Sequence, residues 1–349
     1  MPGTYQYADS RSVSRLSSAR VDLDEVMRAE IGPAWNAYRR RWEAARTFQE
    51  QPPFPLHLDL ELKFSCNLRC PMCLMSLPPD QRRAYGRAGR ELSLARVWEL
   101  LDEGAEEGLC ALGFGGLWEP LLSPDLPEIV ARARDRGLVD VMFNTNGLLL
   151  DEKTGRALIQ AGLTRLMISL DAATPETYAR LRVGSDFERV TANIENILAL
   201  RQSLGRRLPL VRLSFCRTAV NEHELEAFQG RWRGLVDFFS VQAYGRYPGA
   251  APPGFPRGGA TPPPAGRCAQ PHKRLLVRHD GRVLPCCDAS GLELNLGDVA
   301  DRSLGEIWRG RPLADLRRRL AAGDLSGPAA PCRACQAKFL AGAENPCQS

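Results

Sequence analysis

The chain has 349 residues, of which 44% are hydrophobic and 25% are charged, a balance typical of a folded globular protein with a substantial buried core. The 46 basic and 41 acidic residues leave a formal charge of only +5 and are mixed along the chain, which gives no support for a nucleic-acid partner. The longest apolar runs have the length of a strand, far short of the roughly 20 residues that span a membrane, so we expect no membrane partner.

The first 54 residues are predicted to form an N-terminal extension. Residues 1–20 are polar and lack the apolar stretch of a secretion signal, which predicts a disordered leader and a cytoplasmic protein. From Leu23 to Glu50, apolar residues recur at roughly helical spacing, and Pro52 and Pro53 end the pattern. We therefore expect one helix ahead of the main fold.

Residues 55–247 alternate between short apolar segments and amphipathic helical ones. The six strand candidates are His57–Phe64, Ala111–Phe114, Val139–Phe143, Arg165–Leu170, Leu210–Phe215 and Val236–Val241. Six βα units with right-handed crossovers predict an α/β fold, a partial (β/α)6 TIM-like barrel with functional residues at the carboxyl ends of its strands. A run rich in Gly and Pro, Pro248–Gly266, predicts a linker, so residues 248–349 are expected to hold this linker and a small C-terminal domain.

Three cysteines, Cys66, Cys70 and Cys73, lie in an eight-residue loop directly after the first predicted strand. Clustered cysteines in a reducing compartment more often bind metal or do redox chemistry than form disulfides. Three thiolates leave one iron of a [4Fe-4S] cluster without a protein ligand, whereas structural zinc needs a fourth Cys or His, which the adjacent sequence lacks. The spacing favours an open [4Fe-4S] cluster over zinc or three inert core cysteines.

The Cys-x3-Cys-x2-Cys spacing resembles that of the radical SAM superfamily, and the resemblance covers roughly residues 55–345. It implies an enzyme whose open iron chelates S-adenosylmethionine (SAM). One electron, supplied by a reductant such as flavodoxin or ferredoxin, then produces a 5'-deoxyadenosyl radical that abstracts hydrogen from a C–H bond. The residue before the third cysteine is often aromatic in this family and is Met72 here, a polarizable side chain that can pack on the adenine.

Polar motifs follow the second and third predicted strands. Residues 115–122 resemble the Gly-Gly-Glu-Pro stretch of the family, with Trp118 in the place of a glycine. The resemblance implies that Glu119 lies near the SAM amine, although Trp does not adopt a positive φ as readily as Gly. A simple glycine turn is the alternative. Asn144 and Asn146 follow the third strand and are expected in the same pocket.

Ser169 and Asp171 follow the fourth predicted strand, and Arg182 follows the next helix. In related enzymes, residues at these places bind the ribose hydroxyls of SAM and the methionyl carboxylate respectively, and a guanidinium suits the second task. Taken singly, the first two could instead form a helix N-cap, and Arg182 could be a solvated surface residue.

Four more cysteines, Cys268, Cys286, Cys332 and Cys335, follow the linker. Cys286 ends a Gly-x4-Cys pattern, and the last two form a Cys-x2-Cys pair. Four thiolates make a closed site that suits one auxiliary [4Fe-4S] cluster, with structural zinc as the alternative. This region resembles the SPASM domain of radical SAM enzymes, or its shortened "twitch" form.

Cys287 is left over beside a predicted ligand. By resemblance to radical SAM epimerases it is a candidate hydrogen-atom donor to a substrate radical, and a buried small residue is the alternative. The sequence favours a small polar substrate of the sugar, aminoglycoside or nucleoside type that undergoes epimerisation or two-electron oxidation. Two alternatives stay open: modification of a ribosomal peptide, and a non-catalytic iron–sulfur scaffold or sensor.

Overall fold

The computed structural model describes residues 22–86, 89–243, 268–286 and 292–333. The N-terminal extension contains two helices, α1 (Leu23–Ile31) and α2 (Pro33–Arg46), so the expectation of one helix is wrong. Gly32 between them has a φ of 80°, which is left-handed, and Pro33 has no backbone N–H to continue the hydrogen bonds of α1. The chain therefore breaks at this Gly-Pro pair and restarts as a second helix.

The described residues form one sheet of nine strands, whose order from edge to edge is β6-β5-β4-β3-β2-β1-β7-β8-β9. The strands are β1 (His57–Leu60), β2 (Ala111–Phe114), β3 (Asp140–Thr145), β4 (Arg165–Ser169), β5 (Leu210–Arg217), β6 (Phe238–Ala243), β7 (Arg274–Val277), β8 (Arg282–Leu284) and β9 (Gly297–Asp298). Strands β1 to β6 are parallel, and the sheet does not close. The predicted partial barrel is confirmed.

The first strand ends at Leu60, four residues before the predicted end at Phe64. The N–H of Glu61 still donates to the carbonyl of Val277, but the carbonyl of Leu62 accepts from Leu92 outside the sheet. The chain has therefore left the ladder before it reaches the cysteine loop.

Nine further α-helices flank the sheet or join its strands in the described residues. They are α3 (Pro79–Arg82), α4 (Leu94–Glu107), α5 (Leu126–Asp135), α6 (Glu152–Gln160), α7 (Pro175–Leu181), α8 (Phe187–Ser203), α9 (Leu225–Trp232), α10 (Leu304–Trp308) and α11 (Arg311–Ala321). Side-chain caps begin several of them: Ser93 accepts from Arg96 N at the start of α4, and Asp151 accepts from Thr154 N at the start of α6. No helix in the described part of the chain is long and apolar enough to cross a membrane.

The barrel interior is polar because the strands alternate between two faces. Leu213 and Phe215 of β5 belong to the main hydrophobic core, which places Ser214 on the opposite, interior face. Ser214 pairs in register with Ser169 of β4 and with Ser240 of β6. A row of hydroxyl groups thus crosses three strands inside the barrel.

The C-terminal hairpin extends the barrel sheet. Strand β7 pairs in parallel with β1, in a register that aligns His57 with Arg274, and β8 returns antiparallel to β7. The side chain of Glu103 on α4 accepts from the backbone N–H groups of Leu304 and Gly305 at 3.1 and 2.8 Å, which ties the start of α10 to the barrel. The C-terminal region therefore continues the sheet beyond β1.

A buried carboxylate pairs with an arginine at the amino ends of β3 and β4. Asp140 on β3 is fully buried, pairs with Arg165 on β4, and accepts from Thr164 Oγ1 at 2.7 Å. We expect Asp140→Ala to lower the free energy of unfolding by about 3–5 kcal/mol, because it removes the carboxylate that neutralises a buried guanidinium. Anaerobic chemical denaturation of the cluster-loaded protein measures this loss.

Asp102→Ala is the matched control for Asp140→Ala, since Asp102 also pairs with arginines but lies on the surface with about a third of its side chain exposed. Its expected cost is below about 1 kcal/mol. Equal costs for the two variants would contradict the assigned role of burial.

Candidate active site

The cysteine loop lies at the carboxyl end of β1, where the barrel prediction places functional residues. Cys70 is buried, and Cys66 and Cys73 are half-buried in the same small apolar cluster, together with Met72 and Leu68. The backbone N–H of Leu68 donates to Cys66 Sγ at 3.4 Å. Amide donors of this kind stabilise thiolates and tune iron–sulfur clusters.

Burial and mutual proximity both act on these thiols. Burial raises the pKa of Cys66, and it raises the pKa of Cys73 to about 11. In each case Cys70 adds to the rise of the pKa, while a backbone N–H donor and the Arg182 guanidinium oppose it. Bound iron supplies the positive charge that keeps such ligands deprotonated. The donor set fits a [4Fe-4S] cluster held by Cys66, Cys70 and Cys73.

Arg182 and Asp171 form an ion pair beside the cysteine loop, a contact that the sequence does not predict. Arg182 Nη1 lies 3.8 Å from Cys70 Sγ, and Asp171 Oδ1 accepts from the N–H of Cys216 at 2.6 Å. Burial disfavours the charged guanidinium, but Asp171, Cys70 and Tyr178 together outweigh this effect, so the pKa of Arg182 is raised. The helix after β4 is capped by Thr174, so Asp171 is not a helix N-cap, and Arg182 is not a solvated residue.

The predicted contacts of Asp171 with ribose and of Arg182 with the SAM carboxylate stay predictions. In the structure, each of these two groups already engages the other. Asp171 adopts a φ of 61°, which is uncommon for a non-glycine residue, although Asp adopts it more readily than most. Asn221 Nδ2 supports this geometry by donating to the carbonyl of Asp171 at 2.8 Å.

The glycine loop, residues 115–119, follows β2 and lies against the cysteine loop. Gly116 has a φ of 97°, so this position requires glycine. Trp118 keeps a negative φ, and its indole N–H donates to the carbonyl of Gly115 at 2.8 Å, so the replaced glycine is accommodated. The N–H of Glu119 donates to the carbonyl of Ser65 at 2.9 Å, which joins this loop to the one that carries the cysteines.

The Glu119 carboxylate is buried and already has protein partners. It accepts from Thr145 Oγ1 at 2.6 Å and from the N–H of Asn146 at 2.8 Å, and its burial raises its pKa. Thr145 is not among the predicted site residues. Its position between Asn144 and Asn146, at the end of β3, is the sequence signal that points to it. The contact of Glu119 with the SAM amine stays a prediction.

The other predicted SAM-pocket residues lie at the same end of the barrel. Asn146 Nδ2 donates to Asn67 Oδ1 at 2.8 Å and lies 4.0 Å from Cys66 Sγ. Asn144 is exposed at the end of β3, and Ser169 is half-buried in the interior hydroxyl row. The structure thus places Met72, Glu119, Asn146, Asp171 and Arg182 in or beside the cysteine loop, whereas Asn144 and Ser169 lie at the ends of neighbouring strands.

The predicted auxiliary ligands are only partly within the described residues. Cys268 and Cys332 are half-buried and pack against the main hydrophobic core, and Cys286 follows the end of β8. Cys335 and Cys287 lie outside the described residues. The four-cysteine ligand set and the donor role of Cys287 therefore stay predictions.

Two family models match the chain. Residues 60–208 match the radical SAM superfamily, and residues 268–336 match SPASM, an iron–sulfur cluster-binding domain. A PqqA peptide cyclase of Granulibacter bethesdensis is 25% identical over 332 residues, which cover 82% of this chain and 81% of that protein. A GTP 3',8-cyclase of Limosilactobacillus fermentum is 37% identical, but over 41% of this chain and 42% of that protein.

The fold is also that of a solved structure. Streptococcus suis SuiB superposes with a TM-score of 0.60 at 15% identity, over 81% of this chain and 72% of SuiB. The two matched domains imply that SAM, a SAM-binding [4Fe-4S] cluster and an auxiliary iron–sulfur centre are the cofactors. The chain belongs to the radical SAM superfamily and carries a C-terminal SPASM domain.

Proposed function

We propose that this radical SAM enzyme modifies a peptide by forming a bond between two of its side chains. The observation that carries the proposal is the extent of the peptide cyclase similarity, which covers 82% of the chain and therefore extends beyond the barrel. The GTP cyclase similarity covers 41%. A match confined to the shared barrel supports SAM cleavage, whereas one that continues into the SPASM region also supports the later steps on the substrate.

This proposal replaces the small polar metabolite favoured by the sequence. The peptide cyclase of Granulibacter bethesdensis matches over 81% of its own length, so the similarity is not confined to a domain shared by many radical SAM enzymes. Peptide modification, the alternative left open above, is therefore the better-supported hypothesis, and the epimerase assignment loses its support.

The open barrel provides a suitable place for a polar chain. The sheet is not closed between β6 and β9, and Ser169 and Ser214 of the interior hydroxyl row are partly exposed. Hydroxyl groups can donate to and accept from peptide groups, which a bound backbone needs when it leaves water. Asn144, exposed at the end of β3, adds an amide at the mouth.

The residues of this chain have separate tasks in the proposed reaction. Cys66, Cys70 and Cys73 hold the SAM-binding cluster, and Arg182 places a positive charge 3.8 Å from the thiol of Cys70. When bound and reduced by a flavodoxin or ferredoxin, this cluster supplies the electron that cleaves SAM to methionine and a 5'-deoxyadenosyl radical. Cys268, Cys286, Cys332 and Cys335 hold the auxiliary centre, an electron acceptor that the loss of two substrate hydrogens requires.

Mass spectrometry of reaction mixtures tests the proposal. The enzyme is incubated anaerobically with SAM, dithionite and short peptides encoded beside its gene, and the expected product is a peptide lighter by two hydrogen atoms with a fragmentation gap that marks the cross-link. GTP serves as the control substrate. Turnover of GTP without change in any peptide would contradict the proposal, and so would uptake of one solvent deuterium by a peptide at unchanged hydrogen count, which indicates epimerisation.

A further inference from the structure

The side chain of Glu61 joins three segments that are far apart in the sequence. It is 1% exposed at the carboxyl end of β1. Its Oε1 accepts from Arg278 Nη2 at 2.9 Å and lies 2.6 Å from His279 Nδ1, which must carry the proton because a carboxylate can only accept. Its Oε2 accepts from the backbone N–H of Leu117 at 2.7 Å. One carboxylate thus connects β1, the turn of the C-terminal hairpin and the glycine loop.

The glycine loop is shaped around this carboxylate. A Cβ at Gly116 would lie 2.2 Å from Glu61 Oε2, so a side chain at this position would collide with the carboxylate. The charge-assisted bond from Leu117 N holds the backbone of the glycine loop against the carboxylate. Loop and carboxylate are therefore mutually fitted, and a change in one displaces the other.

The same hairpin turn also reaches the start of the cysteine loop. The ring of His279 stacks on Phe64, with the ring centroids 5.4 Å apart and an interplanar angle of 19°. Phe64 is followed by Ser65, whose carbonyl accepts from the N–H of Glu119 in the glycine loop. The hairpin thus contacts both loops that form the SAM site, one through Glu61 and the other through the aromatic stack.

Buried ion pairs seldom add much net stability, because taking both charges out of water cancels most of their attraction. Glu61 and Arg278 are 1% and 0% exposed, so desolvation is nearly complete for both. Their best-attested benefit in proteins is the choice of one arrangement over its competitors. Here that arrangement is the seating of the hairpin against the glycine loop.

We infer that Glu61 is a positioning residue for SAM binding. Its carboxylate fixes the position of the glycine loop beside the cysteine loop, and this position depends on the docked C-terminal hairpin. Glu61 acts through the backbone of Leu117 and, by way of His279, through Phe64. The inference concerns the binding of SAM and holds for any substrate.

Titration of SAM into the reduced holoenzyme, followed by electron paramagnetic resonance of the SAM-binding cluster, tests this role without any peptide. In Glu61→Gln an amide N–H₂ replaces one acceptor oxygen. This N–H₂ group then faces an N–H donor of Leu117, Arg278 or His279, and the hydrogen bond is lost. We expect the iron content to be unchanged. The SAM concentration at half-saturation, here called the SAM midpoint, should rise at least about tenfold, since hydrogen bonds to charged groups contribute binding free energy on that order. The SAM titration contains no peptide, so its result does not depend on whether the proposed peptide reaction occurs.

Asp140→Asn is the matched control, because Asp140 is another buried carboxylate paired with an arginine, but at the opposite end of the strands. It should lower stability and leave the SAM midpoint unchanged. Glu61 has only a structural role if both variants shift the SAM midpoint equally. The same conclusion follows if Glu61→Gln lowers the stability but leaves the SAM midpoint unchanged.

His279→Asn keeps the test decisive if Glu61→Gln fails to fold. It retains an N–H near the position of Nδ1 but removes the ring that stacks on Phe64. We expect a smaller rise of the SAM midpoint in the same direction. A folded His279→Asn protein with the wild-type midpoint would overturn the inference.

Discussion

The Cys70→Ala variant is expected to produce no 5'-deoxyadenosine above background from SAM and dithionite. Cys70 is buried in the cysteine loop, and the remaining two thiols, Cys66 and Cys73, do not suffice to hold a cluster that needs three protein ligands. Iron content should fall from about eight to about four atoms per chain, because the auxiliary centre keeps its own ligands. Iron analysis and chromatography of the nucleoside product measure the two effects.

Cys110→Ala is the control for this variant. Cys110 lies at the amino end of β2, where its sulfur accepts from Arg41 Nη1 at 3.4 Å, on the side of the sheet away from the cysteine loop. We expect its iron content and its nucleoside production to equal those of the wild type. Retained SAM cleavage in Cys70→Ala would contradict the assignment of the cluster, as would loss of cleavage in Cys110→Ala.

The Cys286→Ala variant is expected to separate SAM cleavage from product formation. Hydrogen abstraction removes one hydrogen atom from the substrate, and formation of the cross-link then requires a further proton and electron to leave. If Cys286 is a ligand of the auxiliary centre, its loss removes the acceptor of that electron. We expect 5'-deoxyadenosine at close to the wild-type yield, cross-linked peptide at background, and a loss of about four irons per chain.

Metal analysis of the same variant separates iron–sulfur from zinc at the C-terminal site. Zinc at about one atom per chain in the wild type, with about four irons in total, would contradict the auxiliary cluster. Normal cross-linking by Cys286→Ala would show that this cysteine is not required. Cys110→Ala again serves as the control, since it removes a thiol from neither site.

Much of the fold is predictable from local patterns. The alternation of short apolar strands with amphipathic helices predicts the order of the six barrel strands, because each βα unit is formed by about thirty contiguous residues. The cysteine loop is likewise local: three thiols within eight residues can reach one cluster wherever the loop is placed. The break at Gly32 was missed because the apolar spacing continues across it, while the backbone does not.

Contacts between distant segments could not be derived in this way. The ion pair of Arg182 with Asp171 spans a helix, and each residue alone is compatible with several roles. The pairing of β7 with β1 places an edge of the C-terminal region against the first strand, and neither strand carries a sequence mark that selects its partner. Strand pairing depends on which edges remain open once the other strands have assembled.

Cys66, Cys70 and Cys73 represent what the sequence by itself determined about this protein, since cluster chemistry needs only thiols at short spacing and a strand that ends before them. The tertiary structure alone decided what surrounds that loop. Glu61 is separated by 217 residues from Arg278, and its role in the SAM site depends on their contact. The physical reason is that the energetic effect of a buried charge depends on the groups that pair with it, and these groups come together only when the chain has folded.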